Sequence, residues 1–226
     1  MTRLPAAQRK AQLLDTAVSL FAERGFGGAT TAELARAAGV TEPIIYRHFK
    51  SKKDLFIAVI DRAGELTIDA WSNALRSTED PAKRLRRLIT ANPMVMDRGR
   101  GIYRVVVQAM TEIGDPDILE ALQRHVGRLH EFVTQEVTKA QEEGQVSKLF
   151  SPEITAWTLL HLGLGFGMLA PLNIDHHAVD ERGVRVRDVV EAMMLGERAR
   201  QVQHELMRKL GHQAGHDPHG EPPASA

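Results

Sequence analysis

The stretch TTAELARAAGVTEPIIYRHFKSKKDLF, residues 30–56, holds two short helical patterns joined by a glycine. Thr30 followed three positions later by Glu33 matches a capping box, in which each side chain bonds the backbone of the other residue. The box predicts a first helix that ends at Gly39, because glycine readily adopts the positive φ of a sharp turn between helices. The pattern therefore predicts a helix-turn-helix.

The second helix of this pair has a proline in its first turn. Thr41 is placed to cap the helix, and Pro43 is harmless there because first-turn N–H groups have no intrahelical acceptor. Ile45 and Phe49 stand four positions apart and are expected to face the core. The predicted helix covers 42–49.

The face turned away from the core is rich in side chains that can contact nucleic acid. It comprises Glu42, Pro43, Tyr46 and Arg47, with Ile44 and His48 at its borders and Lys50, Lys52 and Lys53 just beyond. Such a helix suits a DNA major groove, with its first residues at base edges and the others at phosphates. Backbone N–H groups near Ser51 could add a phosphate contact. The alternative is an ordinary amphipathic helix with a solvated polar face.

The charge distribution along the chain favours a polyanionic partner for the N-terminal end alone. The 226 residues carry no formal net charge. Residues 1–63, however, hold ten Lys and Arg against six Asp and Glu, a net of +4, which leaves −4 for the rest. The content of 43% hydrophobic and 26% charged residues is typical of soluble globular proteins.

The chain has no cysteine, which excludes disulfides and thiolate chemistry. Asp15 and Glu23 interrupt the apolar character of the N-terminal region, so a secretory signal is not expected. Both features fit a cytoplasmic location, which is the expectation.

Helical spacing recurs along most of the chain and predicts an all-α fold. Aspartate or serine precedes proline at 80–81, 115–116 and 151–152, the pattern of a cap followed by the first helical residue. The nine predicted helices cover 6–24, 31–38, 42–49, 52–77, 81–91, 100–113, 116–144, 152–171 and 185–210. RVVVQAM at 104–110 is the best strand candidate, although it also fits one helical face. Residues 211–226 are rich in Gly, Pro and His and are predicted to be a disordered tail.

Residues 30–56 strongly resemble the DNA-binding signature of the tetracycline-repressor (TetR) family of bacterial transcription regulators, and the likeness extends over about 13–60. The resemblance implies a three-helix DNA-binding domain, assigned to 1–52. It also implies a six-helix effector-binding and dimerisation domain, assigned to 53–210. Regulation would then consist of repression relieved by a small effector.

The resemblance further implies which side chains contact DNA. Thr31 looks like a phosphate contact. The base-facing start of the recognition helix looks like Thr41, Glu42, Pro43 and Ile44. The backbone or groove-edge contacts look like Tyr46, Arg47, His48 and Lys52. Family members often carry Lys-Gly or Arg-Gly where this chain has Glu42-Pro43, so affinity is expected to depend more on Tyr46 and on lysines such as Lys50. Glu42 could accept a hydrogen bond from cytosine N4, or only stabilise the helix dipole.

The segment ITAWTLLHLGLGFGMLAPLNI, 154–174, has no formal charge and is long enough to suggest a membrane span. Its polar residues and acidic flanks favour a helix buried within the protein instead. Gly163 and Gly167 share a face that would allow close helix approach. With Val190 and Met194 of the last helix, they are predicted to form a two-fold dimer interface, as the resemblance also implies. A palindromic operator should follow, with half-sites about 34–36 Å apart.

An effector pocket is expected among the central helices of the second domain. Its candidate lining is apolar and aromatic, with methionines that adapt to different ligands. The candidates are Met94, Met96, Tyr103, Val106, Met110, Phe132, Trp157, His161 and Phe166. For any single residue, ordinary core packing is favoured over a pocket role, while the set as a whole favours an apolar or aromatic effector.

Neither a metal site nor a catalytic site is expected, and no cofactor is implied. His176 and His177 lie in a predicted loop, while His212, His216 and His219 lie in the predicted tail, where nothing fixes ligand geometry. The chain has no Gly-x-Ser-x-Gly or His-Glu-x-x-His motif and no arrangement of acid, base and nucleophile.

Three functions stay open from the sequence alone. The first is a homodimeric, effector-responsive regulator that binds a palindromic operator, most simply as a repressor. The second is an all-helical binding protein without specific operator recognition, which would bind DNA weakly and without regard to sequence. The third is a membrane-associated protein that uses 154–174.

Overall fold

The computed structural model describes residues 4–90, 100–177 and 179–194. Nine α-helices occupy those ranges: α1 Ala6–Gly28, α2 Thr31–Ala38, α3 Glu42–Tyr46, α4 Lys52–Leu75, α5 Pro81–Thr90, α6 Arg100–Ala109, α7 Pro116–Glu142, α8 Pro152–Leu169 and α9 Val186–Met194. Short 3-10 turns follow α6 and α8, at Met110–Glu112 and Ala170–Leu172. Within the described ranges, extended pairing is limited to an isolated bridge between Val179 and Arg185. The all-α prediction is confirmed, and most of the strand candidate at 104–110 lies in α6.

The predicted caps account for most of the helix starts. The Thr30 hydroxyl accepts a hydrogen bond from the Glu33 N–H at 3.2 Å, and the Glu33 carboxylate accepts one from the Thr30 N–H at 3.0 Å, which confirms the capping box. Ser51, Asp80, Asp115 and Ser151 cap α4, α5, α7 and α8 as predicted. Thr41 occupies the predicted N-cap position of α3, although its side chain makes no capping hydrogen bond.

Two helix ends differ from the prediction for reasons visible in the backbone. Gly25, the predicted end of α1, is non-helical with φ 73°, yet helical turns resume beyond it. The α-helical part of α3 ends at Tyr46 because the His48 N–H bonds the Ile45 carbonyl, three residues back, at 2.9 Å. That bond is of the tighter 3-10 type. The predicted continuation of the last helix beyond 194 and the predicted tail at 211–226 lie outside the described residues.

Helices α4 and α7 pack side by side and run parallel. Their side chains meet at positions that advance together along both helices: Asp61 with Arg124, Gly64 with His125, and Trp71 with Phe132. The start of α4 directly follows the helix-turn-helix. The parallel pairing therefore brings the start of α7 close to the predicted DNA-binding end of the molecule.

Two apolar clusters form the core, and α4 and α7 contribute to both. The N-terminal cluster joins α1–α4 to α6 and the first part of α7. The C-terminal cluster joins the end of α4 to α5, the rest of α7 and α8. The proposed boundary between 52 and 53 lies at the start of α4, and the N-terminal cluster continues across it. Contacts within this cluster can therefore transmit a shift of the body to the helix-turn-helix.

A band of buried polar groups lies where the two clusters meet. Thr67 stands on α4 between the last N-terminal-cluster residue and Trp71, and His125 stands on α7 between Leu122 and Leu129. Both Thr67 and His125 are almost fully buried. Gly64, Thr67, Tyr103 and His125 are called the central polar layer below.

Candidate nucleic-acid interface

The turn between α2 and α3 has the geometry that the glycine predicts. Gly39 takes a left-handed conformation, φ 66° and ψ 35°, and the Val40 N–H bonds the Ala35 carbonyl at 2.9 Å. This bond satisfies a carbonyl at the end of α2 and reverses the chain. Ile45 and Phe49 are buried in the N-terminal cluster, which fixes the rotation of α3 about its axis.

The residues predicted to face DNA form one side of this unit. Thr41, Pro43, Tyr46, Arg47 and Lys50 are exposed, while Thr31, Glu42, Ile44, His48 and Lys52 are half-buried. The exposed fraction of Tyr46 is 49%, which leaves its ring and hydroxyl open to a partner. The surface therefore presents an aromatic ring, a guanidinium and an ammonium side by side.

Three of these residues are linked across the two helices. The Thr31 hydroxyl donates to a Glu42 carboxylate oxygen at 3.3 Å, and it lies 3.2 Å from the Tyr46 hydroxyl. Thr31 belongs to α2, whereas Glu42 and Tyr46 belong to α3. These contacts join α3 to α2, while the buried Ile45 holds α3 in place.

Two of the neighbouring lysines are held by the protein itself. The Lys52 ammonium lies 4.7 Å from the centre of the Phe26 ring and donates to the Gly27 carbonyl at 3.5 Å. The Lys53 ammonium contacts Asp117 at 2.5 Å and Asp115 at 3.0 Å. Hydrogen bonds to these carboxylates raise the pKa of Lys53 above its ordinary value, and the Lys53 contact lowers the pKa of Asp115.

The start of α4 also carries a negatively charged side chain of its own, Asp54. The Asp54 carboxylate accepts a hydrogen bond from the Lys50 N–H at 2.8 Å, and the Ser51 hydroxyl accepts one from the Asp54 N–H at 3.0 Å. A phosphate at this helix start would approach an existing carboxylate. The Lys50 ammonium is therefore a better expected phosphate contact than the backbone near Ser51.

The residues predicted to line one pocket lie in several places. Val106 belongs to the N-terminal cluster, Phe132 stacks on Trp71 with ring centres 5.7 Å apart, and Met110 is exposed. The Trp157 ring stacks with two imidazoles, with ring centres 4.3 Å apart for His130 and 5.8 Å apart for His161. The Phe166 and His177 rings are in contact, with their centres 4.8 Å apart. Met94 and Met96 lie outside the described residues.

The central polar layer was not predicted as a site, apart from Tyr103. The Thr67 hydroxyl neighbours the Tyr103 phenol, but it donates to the Ala63 carbonyl at 2.8 Å. Among the described residues, five buried side-chain atoms complete no hydrogen bond, and three of them are Tyr103 Oη, Trp71 Nε1 and His125 Nδ1. Buried polar groups are normally paired, so three such atoms at the junction of two apolar clusters are unusual. A sequence signal existed, since Thr67 and His125 interrupt otherwise apolar helix faces.

Burial controls the protonation of this layer. It raises the pKa of the Tyr103 phenol well above its ordinary value, with a smaller opposing influence from the Thr67 hydroxyl. It lowers the pKa of His125 to about 4, although the nearby Ile60 carbonyl acts in the opposite direction. The layer is therefore uncharged at neutral pH.

The predicted dimerisation residues lie on or beside an apolar surface. Gly163 and Gly167 are half-buried and Val190 is buried, while the surroundings of the Met194 side chain lie outside the described residues. Around them, large apolar side chains are exposed: Ile154, Leu162, Met168, Leu169, Leu172, Ile174, Val186 and Val189. These eight exposed side chains are called the α8–α9 surface below.

The described helices give no support to the membrane alternative, since none combines the length and apolar character that a bilayer span requires. In the same part of the chain, His, Asp and Glu side chains nowhere gather in threes with a geometry suited to a metal ion. His212, His216 and His219 lie outside the described residues.

Comparison with known proteins agrees with the helix-turn-helix geometry. Residues 13–59 match the family model described as bacterial regulatory proteins, tetR family. The chain is 36% identical over 106 residues to the HTH-type transcriptional activator FasR of Mycolicibacterium smegmatis, a match covering 47% of this chain and 48% of FasR. It thus spans about half the length of that relative.

Two further comparisons extend beyond the N-terminal region. The HTH-type transcriptional regulator TtgR of Pseudomonas putida is 30% identical over 151 residues, which cover 64% of this chain and 71% of TtgR. The structure of AibR in complex with isovaleryl coenzyme A and operator DNA superimposes with a TM-score of 0.59 at 19% identity, over 83% of this chain and 98% of AibR. The fold is thus shared over most of the chain. The chain belongs to the tetR family of bacterial regulatory proteins.

Proposed function

We propose that this chain is a cytoplasmic, sequence-specific DNA-binding regulator and has no catalytic role. The observation that carries the proposal is the exposed face of α3, where Tyr46 and Arg47 stand beside Lys50 on a helix held by a buried Ile45. Side chains of these types donate to phosphates, and the first turn of such a helix reaches base edges. The net +4 charge of residues 1–63 supports the same partner.

The regulator would act as a homodimer through the α8–α9 surface. Exposed apolar residues of both helices lie on it, and a two-fold axis would bring two copies together as a four-helix arrangement. Two recognition helices related by that axis would read a palindromic operator, with half-sites about 34–36 Å apart.

The effector would bind at the central polar layer, next to the apolar clusters. Tyr103 Oη and Trp71 Nε1 are buried donors without acceptors among the described residues, so a ligand with a hydrogen-bond acceptor would satisfy them. The rest of the ligand would be apolar or aromatic, in keeping with the surrounding clusters. AibR, with the same fold, is known in complex with both a small ligand and operator DNA.

Effector and operator would oppose each other through α4. This helix carries Thr67 of the polar layer and begins beside the recognition helix, so a ligand that shifts α4 changes the spacing of the two recognition helices. The coupling is reciprocal, because DNA must weaken effector binding by the same factor. In this arrangement the chain is a repressor released by its effector.

Selection of duplexes from a random library with the full-length chain tests the proposal. The expected result is one enriched palindrome with the wild-type chain and much weaker enrichment with Tyr46→Ala. Tyr46→Ala should keep the wild-type oligomeric state, because Tyr46 belongs to α3 and is not part of the α8–α9 surface. Enrichment of no sequence by the wild-type chain would reject operator recognition.

A further inference from the structure

A chain of hydroxyl groups runs from α3 to α2 and back to a carboxylate on α3. Thr31 Oγ1 donates to Glu42 Oε1 at 3.3 Å, and Thr31 Oγ1 lies 3.2 Å from Tyr46 Oη. A hydroxyl has a single hydrogen, so Thr31 must accept from Tyr46 if it donates to Glu42. Every hydrogen in this relay then points toward the Glu42 carboxylate.

The relay is weak and open to exchange. Both distances exceed the 2.7–2.8 Å at which hydroxyl hydrogen bonds are most common. Tyr46 is exposed, and Thr31 and Glu42 are half-buried on the surface proposed to meet DNA. Another donor or acceptor can therefore reach each of the three groups.

The Thr31 hydroxyl is the hydrogen-bond partner of the Glu42 charge. Among the described residues no Lys, Arg or His forms an ion pair with Glu42, whereas the other nearby carboxylate, Glu33, is paired with Arg24 and bonded to Thr30. Threonine and tyrosine hydroxyls are among the donors that hold DNA phosphates. Glu42 therefore takes up the Thr31 hydroxyl directly and the Tyr46 hydroxyl indirectly, because Tyr46 donates to Thr31. Its charge also repels a phosphate that would use these two donors.

We propose that Glu42 is a specificity-determining residue that competes with a DNA phosphate for the Thr31 and Tyr46 hydroxyls. It releases them when the amino group of a cytosine becomes its donor in the major groove. Cytosine N4 is the base-edge donor that a carboxylate accepts from. This inference rests on the proposed function as a DNA-binding regulator.

The proposal makes phosphate binding depend on the base pair. At a C·G pair, Glu42 turns to the cytosine and both hydroxyls become available to the backbone. At another pair, Glu42 stays on the hydroxyls or stands unpaired in the groove, and a carboxylate without a partner is costly there. If Glu42 only stabilised the helix dipole, its removal would weaken binding equally on all sequences.

The test is duplex selection carried out in parallel with wild type, Glu42→Gln and Glu42→Ala, followed by titration of single duplexes. Wild type should enrich a cytosine at one position of each half-site, with a preference of about tenfold or more. Glu42→Gln should change that position alone toward adenine, because a glutamine amide pairs with adenine N6 and N7. Glu42→Ala should lose the preference there and bind a scrambled duplex more tightly than wild type does.

Two controls separate the relay from general charge and folding effects. Glu23→Gln removes the same charge from an exposed residue of α1, and its selected sequence should match wild type. Tyr46→Phe removes one end of the relay and keeps the ring, so Glu42→Ala in that background should improve scrambled-duplex binding less than in wild type. Circular dichroism verifies that each variant is folded.

The outcomes distinguish this inference from the proposed function. If wild type enriches a palindrome and all three chains enrich the same bases, operator recognition stands and the role of Glu42 is overturned. If Glu42→Ala binds scrambled DNA more weakly than wild type, the competition with phosphate is overturned. If wild type enriches nothing, the proposed function fails, and this inference fails with it.

Discussion

The Lys53 ammonium lies 3.0 Å from the Asp115 carboxylate and joins the first turn of α4 to the N-cap of α7. Asp117, in the first turn of α7, contacts the same ammonium at 2.5 Å. These residues are more than sixty positions apart in sequence, yet they connect the helix after the recognition helix to the body of the protein. Lys53 is therefore a structural link, although its neighbours in sequence are expected phosphate contacts.

Lys50 and Lys53 should differ in how they affect the salt dependence of DNA binding. Lys50→Gln should lower the slope of log affinity against log salt by about 0.9 for each subunit bound, because one phosphate contact is lost. Lys53→Gln should lower operator affinity without changing the slope, because its partners are Asp115 and Asp117. Titrations at four salt concentrations measure the operator affinity and its salt slope for each variant. Lys148→Gln, at an exposed position, is the charge control. An equal fall in slope for Lys50→Gln and Lys53→Gln would contradict this division of roles.

His125 should make the protein less stable in mild acid. Its pKa in the folded state is about 4, below the ordinary 6.5, so the unfolded chain binds the proton more readily. Stability is thus fully present above pH 6.5 and is lost as pH falls toward 4. The loss should approach about 1.4 kcal/mol per pH unit for this group.

Denaturant unfolding at several pH values measures this effect. His125→Gln should reduce the change of the free energy of unfolding with pH between pH 6.5 and 4, even if it lowers stability at neutral pH. His161→Gln, at an exposed position on α8, is the matched control and should leave the slope as in wild type. The account of His125 is wrong if both variants keep the same slope.

The ion pair between Arg84 and Glu136 should be essential to the C-terminal body. Arg84 Nε and Nη2 bond the two Glu136 oxygens at 2.6 and 2.8 Å, and Glu136 is only 4% exposed. Burial raises the pKa of Glu136, but hydrogen bonds from Arg84 and Lys139 outweigh it and hold the pKa below its ordinary value. Arg84 also donates to the Leu75 and Thr78 carbonyls at 3.2 Å.

Arg84→Met should therefore destabilise the protein by about 3 kcal/mol, since it leaves a buried carboxylate with one exposed partner. Lys139→Met should cost less than about 1 kcal/mol, because that ammonium is largely in solvent. The double variant Arg84→Met/Glu136→Leu should recover part of the loss, because no buried charge is left unpaired. Chemical denaturation of wild type and the three variants measures their free energies of unfolding. Equal losses of stability for Arg84→Met and Lys139→Met would refute this account.

A charge on the α8–α9 surface should produce a monomer. Leu162→Glu places a carboxylate among the apolar side chains of that surface, where it would be buried in the dimer without a partner. Ile113→Glu changes another exposed apolar residue, on the turn before α7, and should leave the dimer intact. Sedimentation velocity distinguishes the two, and a Leu162→Glu dimer with wild-type affinity would argue against this interface.

The helix-turn-helix could be predicted because its signals are local. The Thr30–Glu33 box, the left-handed Gly39 and the four-residue spacing of Ile45 and Phe49 each depend on a few neighbouring residues. The length of α3 was overestimated because apolar spacing does not distinguish an α-helical turn from the 3-10 bond made by His48.

The contacts that give the site its chemistry could not be predicted in this way. The bond between Thr31 and Glu42 depends on how α2 and α3 cross, and the contact of Lys53 with Asp115 depends on the parallel packing of α4 and α7. His125 fits because Gly64 has no side chain, since a Cβ on Gly64 would lie 3.0 Å from His125 Nδ1. Such contacts arise from tertiary packing, which a local sequence pattern does not predict.

The most direct test of the central claim is fluorescence-anisotropy titration of the full-length chain with its selected palindrome and with a scrambled duplex, each at two salt concentrations. The account predicts tight binding of one dimer to the palindrome and weaker binding to the scrambled duplex at both salt concentrations. Equal binding to the two duplexes, falling together as salt rises, would contradict sequence-specific recognition by α3.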